Sequence, residues 1–388
     1  MLQATLEAVA EEARDWRRHI HQRPELLFDL PETSAFVAEK LRSFGCDEVV
    51  TGIAKSGVVG VIGGKHGAGK TIGLRADMDA LPMTEQTNLF YASNMEGRMH
   101  ACGHDGHTAM LLGAAKSLAA TRDFAGTVVL VFQPAEEGGA GGRVMIEEGL
   151  LERFGIDEVF GMHNEPGLPV GAFATRSGAL MAAGDRFVVT LLGRGGHAAT
   201  PHQTPDPVLA SAHSIAALQS IVARYTDPFD PVVVSVTYLT AGSATGLNVI
   251  PASVQLGGTI RTIDPQTRKA VEGRFRDIIA ATAKMFEVEA EIDWRPGYPV
   301  TINDPDMTGE TVRAAAAVAG PDRVDDDYPC TMGSEDFSYM LEQRPGAFIW
   351  IGNGDSAGLH HPAYDFNDDA IVYGLRYWTS LVAQRLKS

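Results

Sequence analysis

Cysteine is scarce in this chain: Cys46, Cys102 and Cys330 are the three in 388 residues, an odd number set far apart. That excludes a disulfide scaffold and points to a reducing compartment. No run of 18 apolar residues occurs, so no membrane-spanning helix is expected. The opening residues, Met1–Glu7, lack a long apolar stretch, and no signal peptide is expected. The expected location is therefore the cytoplasm. Basic residues are outnumbered, 32 Lys+Arg against 49 Asp+Glu, for a net charge of −17. Phosphate-rich partners would be repelled, so neither nucleic acid nor an anionic membrane is expected as a partner. No G-x-S-x-G elbow appears, which argues against a serine hydrolase. Repeats and low-complexity tracts are also absent.

Against these absences stands one crowded segment. His100-Ala101-Cys102-Gly103-His104-Asp105-Gly106-His107 puts a thiol, three imidazoles and a carboxylate within eight residues. Thiolate and imidazole suit borderline-soft divalent metals. Glu136 and Glu137 adjoin in a second segment, where one carboxylate can ligate a metal while the other moves a proton. His163 follows an apolar strand, and His360-His361 precede Pro362. One ligand from that pair is expected, because adjacent side chains rarely converge on one ion. His107, on the same helix face as His104, fits a ligand or a supporting role equally.

Periodicity predicts helices over 3–20, 31–44, 105–120, 143–149 and 367–386, and strands over 58–62, 71–75, 127–132, 158–162 and 347–352. Such alternation implies an α/β sheet, and the candidate chemistry falls past strand ends, where open sheets bind ligands. The middle third changes rhythm. Strands over 185–192, 231–239, 253–261 and 288–294, with helices over 206–224 and 264–286, give the order βαββαβ of a ferredoxin-like unit. The expected fold is an α/β catalytic domain, 1–182 and 295–388, with a mixed sheet flanked by helices, carrying an inserted ferredoxin-like domain, 183–294.

Gly64-Lys65-His66-Gly67-Ala68-Gly69-Lys70-Thr71 matches the P-loop pattern letter for letter. A phosphate site needs a helix after the loop, and here a strand follows. The expectation is a hairpin turn, and nucleotide binding is the alternative from another class. A metal-binding scaffold without catalysis is disfavoured by the spare carboxylate of Glu136.

The chain resembles the di-metal amidohydrolases that include hippurate hydrolase, aminoacylase-like N-acyl-amino-acid hydrolases and auxin-conjugate hydrolases. The resemblance runs through His21–Leu26, Leu74–Pro82, His100–His107, Gln133–Gly138, Gly193–His197, Asn248–Pro251, Gly258–Arg261 and Gly333–Phe337. It implies Cys102, His104, Glu137, His163 and His360 as metal ligands and Glu136 as general base. The wider superfamily's bridging aspartate is replaced here by His104. The inserted domain would be a dimerisation lid whose His197 acts on the partner subunit's site, with Asn248 and Arg261 binding substrate. The implied cofactor is two divalent ions per subunit, manganese foremost, with zinc, cobalt or nickel also suited. The implied substrate is a small N-acyl amino acid, and the implied assembly a homodimer or dimer of dimers. A dipeptidase or a diamino-acid deacetylase on the same fold is the alternative, although no acidic clamp for a free amine is evident.

Overall fold

A computed structural model describes residues 2–387, with side chains from Leu6 onward. The chain divides into two compact units. The first takes the chain up to Leu180, Ile302–Pro329 and everything from Asp336; the second takes Met181–Thr301 and Cys330–Glu335.

The first unit is built on an eight-stranded mixed sheet in the order Glu48–Ile53, Gly57–Gly63, Thr127–Gln133, Thr71–Asp77, Glu158–Pro166, Gly346–Gly354, Phe173–Ala174, Val324–Asp325. Its four central strands run parallel and are buried almost throughout, which is why Thr127–Gln133 reads as one apolar run. The helices Leu2–His21, His104–Thr121 and Ile371–Arg385 pack on one another, and their apolar side chains join one core with Leu74, Leu130, Phe160 and Ile349. Among the described residues no helix is long and apolar enough to cross a membrane.

The P-loop-like segment leads from Gly57–Gly63 into Thr71–Asp77, a strand and not a helix. It is not a hairpin, however. Thr127–Gln133 lies between the two strands, antiparallel to one and parallel to the other, so the segment crosses over the end of a third strand. Lys70 ends it in an ion pair with the buried carboxylate of Glu158, which Arg385 also holds at 2.6 Å.

Two other boundaries differ from expectation. The helix expected over 143–149 runs Gly141–Glu147, because Gly149 is left-handed (φ +86°) and starts a new short helix. The helix expected over 206–224 is α-helical over Pro207–Leu218 and then widens into a π-helix over Ile221–Tyr225. Pro305–Ala319 is a helix outside those expected from the sequence. Its signal is chemical: Asp304 accepts from the amides of Asp306 and Met307, with Pro305 at the first position.

The second unit has a four-stranded antiparallel sheet in the order Val232–Ala241, Ser253–Thr262, Ala183–Leu192, Glu289–Arg295. With the helices Pro207–Leu218 and Pro265–Met285, this is the ferredoxin-like arrangement. Phe187, Val189, Leu191, Leu256, Ile260, Phe275 and Ile279 form its core. A separate two-stranded ribbon pairs Gly196–His197 with Val249–Ile250.

Candidate metal centre

The site of the first unit collects at the carboxyl ends of three central strands. Thr71–Asp77 delivers Asp77 and then Asp79, Thr127–Gln133 delivers Glu136 and Glu137, and Glu158–Pro166 carries His163. Gly103, left-handed at φ +89°, precedes the His104–Thr121 helix. A side chain at Gly103 would collide with Asn164 and Tyr364, so only glycine lets Cys102 and His104 turn inward together.

Three overlapping donor groups result. Cys102, Glu137 and His360 each present a ligand atom, mutually within 4.8 Å. The same holds for His104, Glu136 and Glu137, and for Asp77, His104, His107 and His163. Cys102 Sγ lies 3.4 Å from His163 Nε2, and His360 Nε2 lies 3.2 Å from Glu137 Oε1. The five residues that the resemblance implies as ligands thus fall in one cluster, with Glu136 on its edge.

The imidazoles are oriented by their other nitrogens. His104 Nδ1 donates to the carbonyl of Asp79 at 2.8 Å, and His163 Nδ1 donates to the carbonyl of Asn164 at 2.7 Å. Each leaves Nε2 for the cluster, the arrangement expected of metal-binding histidines. His107 differs. Its Nδ1 donates to Asp77 at 2.6 Å and its Nε2 lies 3.1 Å from the amide nitrogen of Asn164, so both nitrogens are engaged and the ring supports the cluster from behind. His360 faces Glu137, whereas His361 Nδ1 accepts locally from the amide of Ala363 at 3.1 Å.

Asp79, which the motif reading did not single out, organises both carboxylates. Its Oδ1 accepts from the Glu136 amide at 2.9 Å and its Oδ2 from the Glu137 amide at 3.1 Å. Behind Asp77, Arg75 reaches Asp77 at 2.8 Å, Asp336 at 2.9 Å and Gln133 at 2.9 Å, all buried. Asp77 and Asp79 stand in the Leu74–Pro82 motif that carries the resemblance, which gave neither of them a role.

The electrostatics are those of a cation site. Burial pushes the Cys102 thiol well up, and Glu137, Glu136 and Asp77 push it further. Burial opposes charge on His104, but Asp77, Asp79 and Glu137 outweigh it and raise the imidazole to about 10. Burial likewise opposes charge on Glu137, and His360 and His104 outweigh it, holding the carboxyl below its ordinary range. His163 is kept neutral by burial and by His107. His104 Nε2 is buried with no hydrogen-bond partner among the described residues, and it faces Asp77 at 3.7 Å and Glu137 at 4.0 Å. Protons on a thiol and an imidazole that face clustered carboxylates are what a divalent cation would displace, so the residues fit such a group.

In the second unit the ribbon sets His197 opposite Val249, and the Ala198 amide donates to the carbonyl of Asn248 at 3.0 Å, so His197 and Asn248 are neighbours. His197 is exposed, and its Nδ1 accepts from the Ala199 amide at 3.0 Å. Arg261 lies apart from them on the sheet, half-buried against Gly184, where a Cβ would strike its guanidinium.

Known proteins agree with this architecture. The chain is 42% identical over 371 residues to the hippurate hydrolase of Campylobacter jejuni, covering 96% of each chain. It is 44% identical over 357 residues to an N-acetyl-L-cysteine deacetylase of Bacillus subtilis, covering 92% of this chain and 84% of that one. A Bacillus subtilis crystal structure, described as a dinuclear metal binding peptidase, superposes with a TM-score of 0.86 at 35% identity, covering 98% and 99%. Residues 73–384 match the family description, and the chain belongs to peptidase family M20/M25/M40.

Proposed function

We propose that this protein is a two-metal amidohydrolase that cleaves the amide bond of N-acyl amino acids such as hippurate, releasing a carboxylic acid and an amino acid. The observation that carries the reading is the overlap of donor groups: Glu137 belongs both to the trio with Cys102 and His360 and to the trio with His104 and Glu136. Cys102, His104, Glu137, His163 and His360 hold two divalent cations, manganese by preference, with zinc, cobalt or nickel as substitutes. When bound, the cations supply Lewis acidity that acidifies a water and draws charge from the amide carbonyl.

The chain's own residues do the rest. Glu136 takes the water's proton and returns it to the leaving nitrogen. Its backbone is fixed by Asp79, so the carboxylate is aimed before substrate arrives. His197 offers Nε2–H, since Nδ1 is occupied as an acceptor, and donates to the carbonyl oxygen as that oxygen gains charge. Asn248 and Arg261 hold the substrate's carboxylate. Arg261 suits that task because it is half-buried and makes no ion pair among the described residues. The inserted domain, 183–294, acts as a lid that joins subunits in a homodimer or dimer of dimers, each His197 serving the partner's site. The enzyme works in the cytoplasm.

Substrate choice is tested by assaying benzoyl-, acetyl- and indoleacetyl-amino acids, with dipeptides and N-acetyl-diamino acids beside them, under Mn²⁺, Co²⁺ and Zn²⁺. Fastest turnover of a benzoyl- or acetyl-amino acid is expected. Preference for free-amine dipeptides would make the protein a dipeptidase instead.

A further inference from the structure

The helix Leu2–His21 carries two buried basic side chains, Arg17 and His21, one turn apart, that the chemistry above does not use. Arg17 is fully buried and faces three carboxylates. Its Nε lies 2.8 Å from Asp105 Oδ2, its Nη2 2.6 Å from Asp365 Oδ1, and its Nη1 3.4 Å from Asp368 Oδ1. His21 adds a second contact to Asp105 at 2.8 Å. Asp105 follows His104 directly, and Asp365 lies on the same segment as His360. One guanidinium therefore spans the two stretches of chain that bring candidate ligands together from opposite ends of the sequence.

These stretches also meet where the His360 amide donates to the carbonyl of Ala101 at 2.8 Å, and where Tyr364 and Phe366 lie against Gly103 and Gly106. Packing and one hydrogen bond bring them together; the Arg17 fork adds charged contacts of fixed geometry on both. His360 also sits at φ +62°, a left-handed backbone that a non-glycine residue keeps only when its surroundings over-determine it. Asp365 is the second fixed point. Arg17 holds one of its oxygens, Tyr91 Oη donates to the other at 2.7 Å, and Asn353 Nδ2 donates to its carbonyl at 3.0 Å. Buried ion clusters are a poor source of stability compared with apolar packing. What a guanidinium adds is a planar fork of fixed geometry.

We propose that Arg17 is a positioning residue: through Asp105 and Asp365 it sets the spacing between the Cys102–Asp105 segment and the His360 segment, and so the affinity for the divalent cation whose ligands they supply. This rests on the ligand assignment above, and the experiment separates the two.

Metal-free protein is titrated with Co²⁺, read by calorimetry and by visible absorption, which reports ligand geometry. His360→Ala tests the ligand assignment and is expected to lose tight binding of one equivalent. Asp365→Asn keeps an acceptor for Tyr91 but removes the charge that Arg17 grips; Arg17→Lys keeps the charge and removes the fork. Both are expected to bind Co²⁺ about 10-fold more weakly, the loss typical of a disturbed outer shell. Their absorption bands should shift, which a general loss of stability from breaking the ion cluster would not by itself produce. Wild-type Co²⁺ affinity in His360→Ala would overturn the ligand assignment. Loss in His360→Ala with wild-type affinity in either of the other variants would overturn the positioning role alone. So would weaker binding in Asp365→Asn with the wild-type absorption band, since a merely structural contact leaves ligand geometry unchanged. Should Arg17→Lys not fold, Asp365→Asn decides.

Discussion

Glu136 and Glu137 share a peptide bond, their amides share one carboxylate, Asp79, and both reach the trio with His104, yet only Glu137 also joins Cys102 and His360. Glu137 turns towards His360 and His104, while Glu136 stays at the edge of the cluster. The proposed division of labour predicts that Glu136→Gln keeps its metal and loses about 10²–10⁴-fold in turnover, because an amide cannot take a proton. Elemental analysis beside kinetics checks this, and a metal-loaded variant within a few-fold of wild type would remove Glu136 as base. Cys102→Ser should shed metal into dilute chelator while its melting temperature without metal changes little, a hydroxyl being a poorer ligand than a thiolate. Proton release gives a third expectation. Cys102 and His104 both titrate above their ordinary values in the metal-free protein, so both carry protons at neutral pH and must lose them to ligate. Metal affinity should therefore rise with pH from 6 to 8, by at most about tenfold per unit for each proton displaced. Chelator competition at three pH values measures the slope, and a flat profile would contradict the assignment. Much of this was legible in the sequence because soft ligands crowd between His100 and His107. The segment of Asp77 and Asp79 was legible as a motif, but their roles were not, since these depend on the His107 ring and the Glu136 and Glu137 amides that the fold brings to them. His107 could be read either way, and only its two engaged nitrogens decide.

Helices betray their starts more reliably than their ends. Asp206, Asp264 and Asp304 each precede a proline and each accept from amides of the first turn. The first two begin helices expected from the sequence, where a regular strand–helix rhythm surrounds them; the third carries the same cap and proline but lies outside that rhythm. Asp304→Ala should cost about 1 kcal/mol in chemical denaturation, the usual value of such a cap. The strands expected from the sequence were located to within a few residues, but the edge strand Glu48–Ile53 was not among them and their neighbours were not foreseen. Nothing local in Gly57–Asp77 announces that Thr127–Gln133 will lie between two strands adjacent in sequence. The glycine-rich crossing is accordingly a connector whose lysine serves Glu158. Lys70→Ala should leave turnover unchanged and cost no more than about 1 kcal/mol, because the amine is half-exposed and screened. Measurable ATP binding by the wild type, or an order-of-magnitude loss of turnover in the variant, would restore a nucleotide role.

At the scale of the molecule, the division into two units separates the metal-donor cluster from His197, Asn248 and Arg261, which all belong to the second unit. The proposed sharing of sites between subunits makes a direct prediction. His197→Ala and Glu136→Gln, each nearly inactive alone, should recover activity when mixed, since a hybrid dimer holds one site with both groups. Subunit exchange seen by mass spectrometry without recovered activity would confine His197 to its own chain. The order of strands carries one more consequence, for synthesis. Gly346–Gly354 lies inside the sheet, hydrogen-bonded to Glu158–Pro166 on one side and Phe173–Ala174 on the other. The catalytic sheet cannot close until that strand leaves the ribosome. Roughly 200 residues separate His163 from His360, and at typical translation rates of about 5–20 residues per second they take on the order of 10–40 s to make. During that interval the nascent chain holds Cys102, His104 and His163 without His360. On the proposed ligand set the metal centre is therefore completed only near the end of synthesis, as late as the sheet that carries it.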